Sequence, residues 1–501
     1  LPERREYERT ATTAVNAYIR PVMQNYLGAM RQGMDKLDIK APLLIMQSAG
    51  GLSPEEETRR RPVFMLESGP AAGVLAASFT ARRLGLANVI TLDMGGTTAK
   101  ASLIEEGVVS YSPQYEVGAS LSSSSRLVGG GGELIRAPTI DIAEVGAGGG
   151  SIAYIDGGGG LRVGPRSAGA MPGPACYGRS GSEPTLTDAN VVLGYIRPGE
   201  LDDGEVAIDL ELARRVIMDR IAAPLGLDLL PAAEGIHRIA NARTMRALRE
   251  VSTERGRDPR NFTLLAFGGA GPIHAAGLAR ELNIGQVIIP PLPGLFSALG
   301  LLFSGVEHHD VRSCLLSEGA LTATALQELY TDLEQNMLAQ FVAEGYGPDQ
   351  VDRHYSADVR FRGQTSEIRV ALVDGPIDDT SLQQLQDGFA DEHERLYGHR
   401  SDPDNPIEVV ALRLVGRAGV PQDDSHFQPA ESTSATESLR LAYFGAYYGT
   451  IDTPVYRRCE LTHGARGPLL IDEYDSTIVV PPSMRAALDE DLNIRLESAD
   501  V

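Results

Sequence analysis

"TLDMGGTTAK", residues 91–100, is the stretch on which the reading of this chain turns. An apolar run ends in Asp93. Gly95, Gly96, Thr97 and Thr98 follow at once, and the chain then turns apolar again. Residues 88–93 have the composition of a buried strand, and "AKASLI" with its "EEG" turn reads as the hairpin partner. The glycines let backbone turn sharply and approach a ligand with no Cβ in the way. Exposed N–H groups in such a turn form an anion-binding nest, and Thr97 and Thr98 add hydroxyl donors. Asp93 at the strand end can hold Mg²⁺, an ion that keeps its waters and takes one or two carboxylates. The motif is not G-x-x-x-x-G-K-[ST], and no G-x-G-x-x-G occurs, so neither a P-loop nor a dinucleotide fingerprint is present. The alternative is a tight hairpin with Asp93 as a turn residue.

Outward from this stretch, "FTLLAFGGAGP" (262–272) reads as a strand running into a glycine turn, followed by the helix "IHAAGLARELN". Gly268, Gly269 and Gly271 offer bare backbone on which an adenine or ribose can lie, or simply strand-to-helix turn chemistry. His274 on that helix reads as a packed or capping residue. Residues 129–181 hold 17 of the 55 glycines, which rules out regular helix there and implies loops close to something bound. Within that region Arg162, Arg166 and Arg179 supply cations, and Cys176 reads as a buried, inert thiol. Asp188, after Thr185 and Thr187, reads as a helix cap or a functional acid. "EHH" (307–309) with Asp310 reads as a solvated turn in preference to a metal cluster.

Elsewhere, residues 5–38 read as helix with a break near Pro21. Residues 68–85 form a helix opened by Ser68 and Pro70 and closed by Gly85. Residues 204–227, 232–256 and 321–345 are helical in periodicity. From 351 onward, alternating segments predict an antiparallel sheet. Residues 418–438 have the composition of a linker, and the end of the chain reads as a small β unit.

The bulk numbers narrow the function. At 501 residues the chain holds roughly three domains of about 150 residues each. A net charge of −22 argues against nucleic-acid binding, which needs a positive field. No stretch approaches the about 18 uncharged apolar residues of a membrane span. Cys176, Cys314 and Cys459 are far apart, match no zinc spacing, and point to a reduced, cytoplasmic protein.

Six segments carry a resemblance: "TLDMGGTTAK", "EVGAGGGSIAYID", "LRVGPRSAGAMPGPACYG", "EPTLTDANVVLG", "RGRDPRNFTLLAFGGAGPIHA" and "IIPPLPGLFSALGLL". Together with flanking sequence from "REYERTATTAVNAYI" to "IDEYDSTIVVPP", the chain resembles the hydantoinase A/5-oxoprolinase family, which includes subunits of acetone and acetophenone carboxylases. The resemblance implies an α/β, actin-like and sugar-kinase-like ATPase fold of two ribonuclease-H-like halves with nucleotide between them. It implies ATP- and Mg²⁺-dependent ring opening of cyclic amides, or ATP-driven carboxylation of ketones, and a B-type partner subunit. By position, Asp93 (the catalytic carboxylate and metal ligand), Gly95, Gly96, Thr97 and Thr98 match the second phosphate loop. Gly268, Gly269 and Gly271 match the adenosine loop, and the helix at 68–85 matches an interdomain connecting helix.

The family's first phosphate loop, an Asp–x–Gly–Gly–Thr hairpin, has no counterpart in residues 1–75, and the chain starts at Leu1. The expectation is therefore an N-terminal ATPase domain supplied separately or removed. The chain then divides into 1–85 (remainder of the first half with the connecting helix), 86–312 (second half with both loops), 313–420 (α+β) and 421–501 (linker and small C-terminal β unit). Two positions depart from the family pattern. Met171 stands where many relatives carry an acid. Relatives often read "GGTSTD" where this chain has "GGTTAK", and Lys100 is expected to face solvent. A non-catalytic scaffold is disfavoured by the intact Asp93 and both glycine loops.

Overall fold

All five residues of the strand Thr263–Phe267 are buried, the pattern of a strand covered on both faces. It lies parallel to Val89–Met94 on one side and to Gln286–Ile289 on the other. These three strands form the centre of a nine-stranded mixed sheet in an α/β arrangement. Beyond Val89–Met94 the sheet continues antiparallel through Ala99–Glu105 to Ile142–Val145. The helices Leu229–Val251 and Gly271–Leu282 pack on one face over Ile90, Leu92 and Met94. The helix Ser68–Arg83 packs on the other over Val89, Leu265, Phe267 and Ile288. Alternation along the strands sends successive side chains to opposite cores, and burial of each such side chain contributes about 1.5–3 kcal/mol. The structure is a computed structural model that describes residues 5–112, 114–117, 132–200, 207–317, 319–372, 375–399, 405–419, 439–461 and 463–499.

A second sheet of six strands is built around Val306–Leu316, Ile407–Ala418 and Asp352–Phe361, all antiparallel, as the alternating sequence predicts. The helices Ala323–Ala343 and Asp379–Tyr397 cover it with a core that includes Tyr330, Phe341 and Phe389. The hairpin Leu44–Met46/Leu52–Pro54 joins its edge, meeting the long strand at Val306↔Leu52.

Four expectations change. The helix Glu6–Lys36 runs through Pro21 with no break. Pro21 is exposed, so its ring costs one backbone bond while Thr12, Val15, Ile19 and Leu27 keep the inner face packed. "EHHD" is no solvated turn. It lies inside the strand Val306–Leu316, with Glu307 and His308 buried by the neighbouring Ile407–Ala418. Lys100 does not face solvent either. Its strand is interior to the sheet, with Asp93 and Glu144 as its register partners on the two sides. Finally, the C-terminal strands do not stand apart. Ile494–Ser498 pairs with Gln286–Ile289, and Met484–Leu488 follows it. Val287, Ile288 and Ile289 are fully buried, and an apolar strand of this kind left at an edge is a liability that a further strand removes. The expected linker lies mostly in 420–438, outside the described residues.

Candidate functional site

The hairpin at 89–105 closes as the spacing predicts. Met94 pairs with Ala99, and the Gly95 N–H donates to the Thr98 carbonyl at 3.2 Å. Its tip is held from behind by another glycine run. Gly149 N–H donates to the Gly95 carbonyl (3.0 Å) and Gly150 N–H to the Gly96 carbonyl (2.6 Å). A Cβ at Gly148 would sit 2.6 Å from the Thr97 nitrogen, and one at Gly150 would sit 2.7 Å from Ser167 Oγ. "GAGGG" is therefore glycine because two backbones lie against each other, and the tip carbonyls, which would repel an anion, are spent on it. On the open side a Cβ added at Gly95 or Gly96 would meet nothing within 4 Å. Gly96 and Thr97 are exposed, while Thr98 is half-buried.

The parallel pairing Phe267↔Asp93 brings the second glycine loop beside the first. The three glycines of that loop differ in role. Gly268 has φ +80°, and a Cβ there would lie 2.5 Å from the Met94 carbonyl and 2.6 Å from Asp93 Oδ1. Gly271 opens the helix Gly271–Leu282 and is buried against Leu92. Gly269 alone faces open space: a Cβ added there would have the Asp475 carbonyl, at 3.5 Å, as its nearest neighbour. The Ala270 N–H donates to the Met94 carbonyl at 2.9 Å, locking the two loops together.

Between them lies a cavity of about 350 Å³ lined by Gly95, Gly96, Gly149, Gly269 and the start of the Gly271–Leu282 helix. A helix N-terminus adds to the preference for negative charge there. Two walls were not legible as site in the sequence. One is the loop 472–477, whose Ser476 Oγ donates to the Gly269 carbonyl (3.0 Å) and whose Asp475 accepts from Gly294 N–H (2.8 Å). The other is Thr187 and Asn190 on the helix Leu186–Val192. The adjacent acids and hydroxyls of "DEYDST" are the signal that could have pointed to the first.

Asn190 is held by a buried neutral network. Its Oδ1 lies 2.8 Å from His237 Nδ1 and its Nδ2 lies 3.4 Å from His274 Nε2. His274 Nδ1 lies 2.6 Å from Asn241 Oδ1, and the two imidazoles stack at 4.4 Å. With Nδ1–H given to Asn241, His274 has only a lone pair to offer Asn190, which fixes the orientation of the amide. Burial lowers the pKa of His237 to about 4, and burial with the neighbouring His237 holds that of His274 well below its ordinary value, so both rings stay neutral near pH 7. His274 is thus packed, as expected. Asp188 is a cap: it accepts from Thr185 N–H and Oγ1, and from Cys176 N–H at 2.8 Å. Cys176 is fully buried, and burial with the Asp188 charge raises its pKa, so its thiol is inert. Met171 is 74 % exposed and away from the cavity lining. Arg162 and Arg166 pair with Asp156 and Glu183 on the surface.

Asp93 sits at the strand end beside the hairpin, half-buried, with burial raising its pKa and Lys100 and a hydrogen bond with Ser297 lowering it. Lys100 lies 2.7 Å from Glu67 and 3.5 Å from Glu144. Three carboxylates thus gather about one ammonium, leaving the neighbourhood net negative. Among the described residues no set of three or more His, Cys, Asp or Glu side chains is arranged as a metal cage, and no helix is long and apolar enough to cross a membrane.

The central strands of an α/β sheet thus end in two interlocked glycine loops over one cleft. The chain belongs to the hydantoinase/oxoprolinase family: that family's sequence model matches residues 9–310, and the model of its C-terminal domain matches residues 317–499. The caprolactamase alpha subunit of Pseudomonas jessenii is 36% identical over 98% of this chain and 69% of its own length. The acetophenone carboxylase gamma subunit of Aromatoleum aromaticum is 30% identical over 99% of this chain and 68% of its own length. The crystal structure of an ATP-dependent caprolactamase from Pseudomonas jessenii superposes with a TM-score of 0.83 at 34% identity, over 100% of this chain and 71% of that one.

Proposed function

We propose that the chain is the ATP-using part of a cyclic-amide hydrolase, built on an actin/sugar-kinase-like fold and completed by an N-terminal ATPase domain and a B-type partner subunit. The observation that carries the reading is the shared cavity: Gly95 and Gly96 from one loop and Gly269 from the other line the same 350 Å³. In this reading Gly95, Gly96, Thr97 and Thr98 hold phosphate, with the open side of the tip as the cradle that a Cβ would fill. Gly269 admits the nucleoside, while Gly268 and Gly271 hold the loop's shape. Asp93, the strand-end acid in a net negative surrounding, is the residue that would hold Mg²⁺, which when bound would neutralise phosphate charge. Bound ATP supplies the phosphoryl group that activates an otherwise unreactive amide oxygen. The protein's part is charge neutralisation and alignment, by backbone N–H groups and the helix N-terminus.

A carboxylase subunit is the second reading, favoured by the 30% identity to the acetophenone carboxylase gamma subunit. Phosphate release separates the two. The assembled enzyme should turn over ATP with lactams, hydantoins or 5-oxoproline, and not with ketones plus bicarbonate. The reverse pattern overturns the hydrolase reading in favour of the carboxylase.

A further inference from the structure

A carboxylate at a strand end turns easily about its last bond, because that torsion has broad wells. Asp93 is not left to turn. The Ser297 hydroxyl donates a hydrogen bond to its carboxylate. The second glycine loop closes in from another side, where a Cβ at Gly268 would lie 2.6 Å from Asp93 Oδ1. A donor behind a carboxylate fixes the plane in which its free lone pairs point, and such outer partners decide how well a metal is held.

The seat of Ser297 is made by an element that belongs to neither glycine loop. Ser297 lies on the short helix Phe296–Gly300, which packs along the helix Ser68–Arg83. The two helices meet closely because each carries a glycine at the contact. A Cβ at Gly73 would sit 2.7 Å from Ser297 Oγ and 2.7 Å from the Phe267 ring, and one at Gly300 would sit 1.9 Å from the Ala72 carbonyl oxygen. Phe267 is itself the strand partner of Asp93, and its ring packs on Phe296 with centroids 4.9 Å apart. Ser297 is thus confined between Gly73 and the strand ends, with its hydroxyl on Asp93. The charged neighbour of Asp93 leads back to the same helix. Lys100, its register partner, lies 2.7 Å from Glu67, the residue immediately before Ser68–Arg83.

We propose that Ser297 is a positioning residue for Asp93, seated by Gly73, so that the helix Ser68–Arg83 sets the orientation in which the carboxylate meets Mg²⁺. The assignment rests on the nucleotide reading above. The test titrates Mg²⁺ by calorimetry into the complete enzyme, with its N-terminal domain and partner subunit, holding a non-hydrolysable ATP analogue. It compares wild type with Asp93→Asn, Ser297→Ala, Ser297→Cys, which keeps the shape with a weak donor, and Gly73→Ala, which keeps the hydroxyl but displaces it. The serine variants and Gly73→Ala should each weaken Mg²⁺ binding roughly tenfold, while affinity for the analogue without metal stays at the wild-type value. Should Gly73→Ala fail to fold, the two serine variants decide. Wild-type metal affinity in Ser297→Ala, with the metal lost in Asp93→Asn, overturns the positioning role and leaves the nucleotide reading standing. An equal loss of metal-free analogue affinity in the serine variants overturns it too, since the damage is then general. Undiminished metal affinity in Asp93→Asn overturns both the positioning role and the metal assignment of Asp93.

Discussion

At the scale of single residues, the two loops make distinguishable demands. Asp93→Asn preserves shape and the Ser297 contact but removes the charge that would hold a cation. ATP turnover should fall by about 10²–10³-fold, the usual effect of losing one transition-state contact, with the thermal melt little changed. Turnover at the wild-type rate would remove Asp93 from the machinery. Gly269→Val fills open space, so nucleotide affinity should drop while Tm holds. Gly268→Ala forces a Cβ against the Met94 carbonyl at positive φ and should cost roughly 1–3 kcal/mol of stability. Calorimetry beside thermal melts reads the contrast, and equal Tm losses in both variants would make Gly269 merely structural. Lys100 shows where residue-level reading stops. A lysine after a glycine turn looks like a hairpin tip facing water, and only the register with Glu144, some forty residues on, reveals its partners.

At the scale of elements, what was legible follows from local pattern. The strand–glycine–strand of 89–105, the strand–glycine–helix of 263–282 and the amphipathic helix Ala323–Ala343 form as their periodicity demands. The remainder depends on contacts far apart in sequence. Nothing near 307–310 announces that Ile407–Ala418 will bury it, and nothing near 472–477 announces Gly269 as neighbour. The three-helix meeting of His237, His274 and Asn190 is of this kind too, and it has a measurable signature. In the unfolded chain His237 takes a proton near its ordinary value of about 6.5; in the fold burial delays that to about 4. Between these values the unfolded state binds more protons, so stability falls as the pH is lowered through this window and His237 contributes no further slope below it. In His237→Phe, part of the dependence of Tm on pH between 6.5 and 4 should vanish. Superimposable profiles for variant and wild type would show that the ring titrates freely.

At the scale of the whole molecule, Arg458 fastens the C-terminal region to the central sheet. Buried, it pairs with Glu473 and donates to the carbonyls of Ile289 (3.1 Å), Pro290 (2.9 Å) and Leu492 (2.6 Å). Arg458→Met leaves Glu473 buried and unpaired and should cost about 3–5 kcal/mol, read by chemical denaturation; a loss below about 1 kcal/mol would make the contact a surface-grade pair. The completeness of the ATP site is the other question at this scale. If the first phosphate loop comes from an N-terminal domain, residues 1–501 alone should bind ATP weakly and hydrolyse it negligibly, and adding that domain should restore turnover. Strong amide-stimulated hydrolysis by the isolated chain would contradict the two-loop scheme. The pairing of Ile494–Ser498 with Gln286–Ile289 also sets a timetable for the ribosome. About two hundred residues separate the partners, so at roughly 5–20 residues per second the inner strand waits on the order of 10–40 s for its cover. Until then a nascent chain carries an apolar, unpaired strand edge, which makes the interval before residues 494–498 emerge the time when this sheet is most exposed to mispairing and a chaperone matters most.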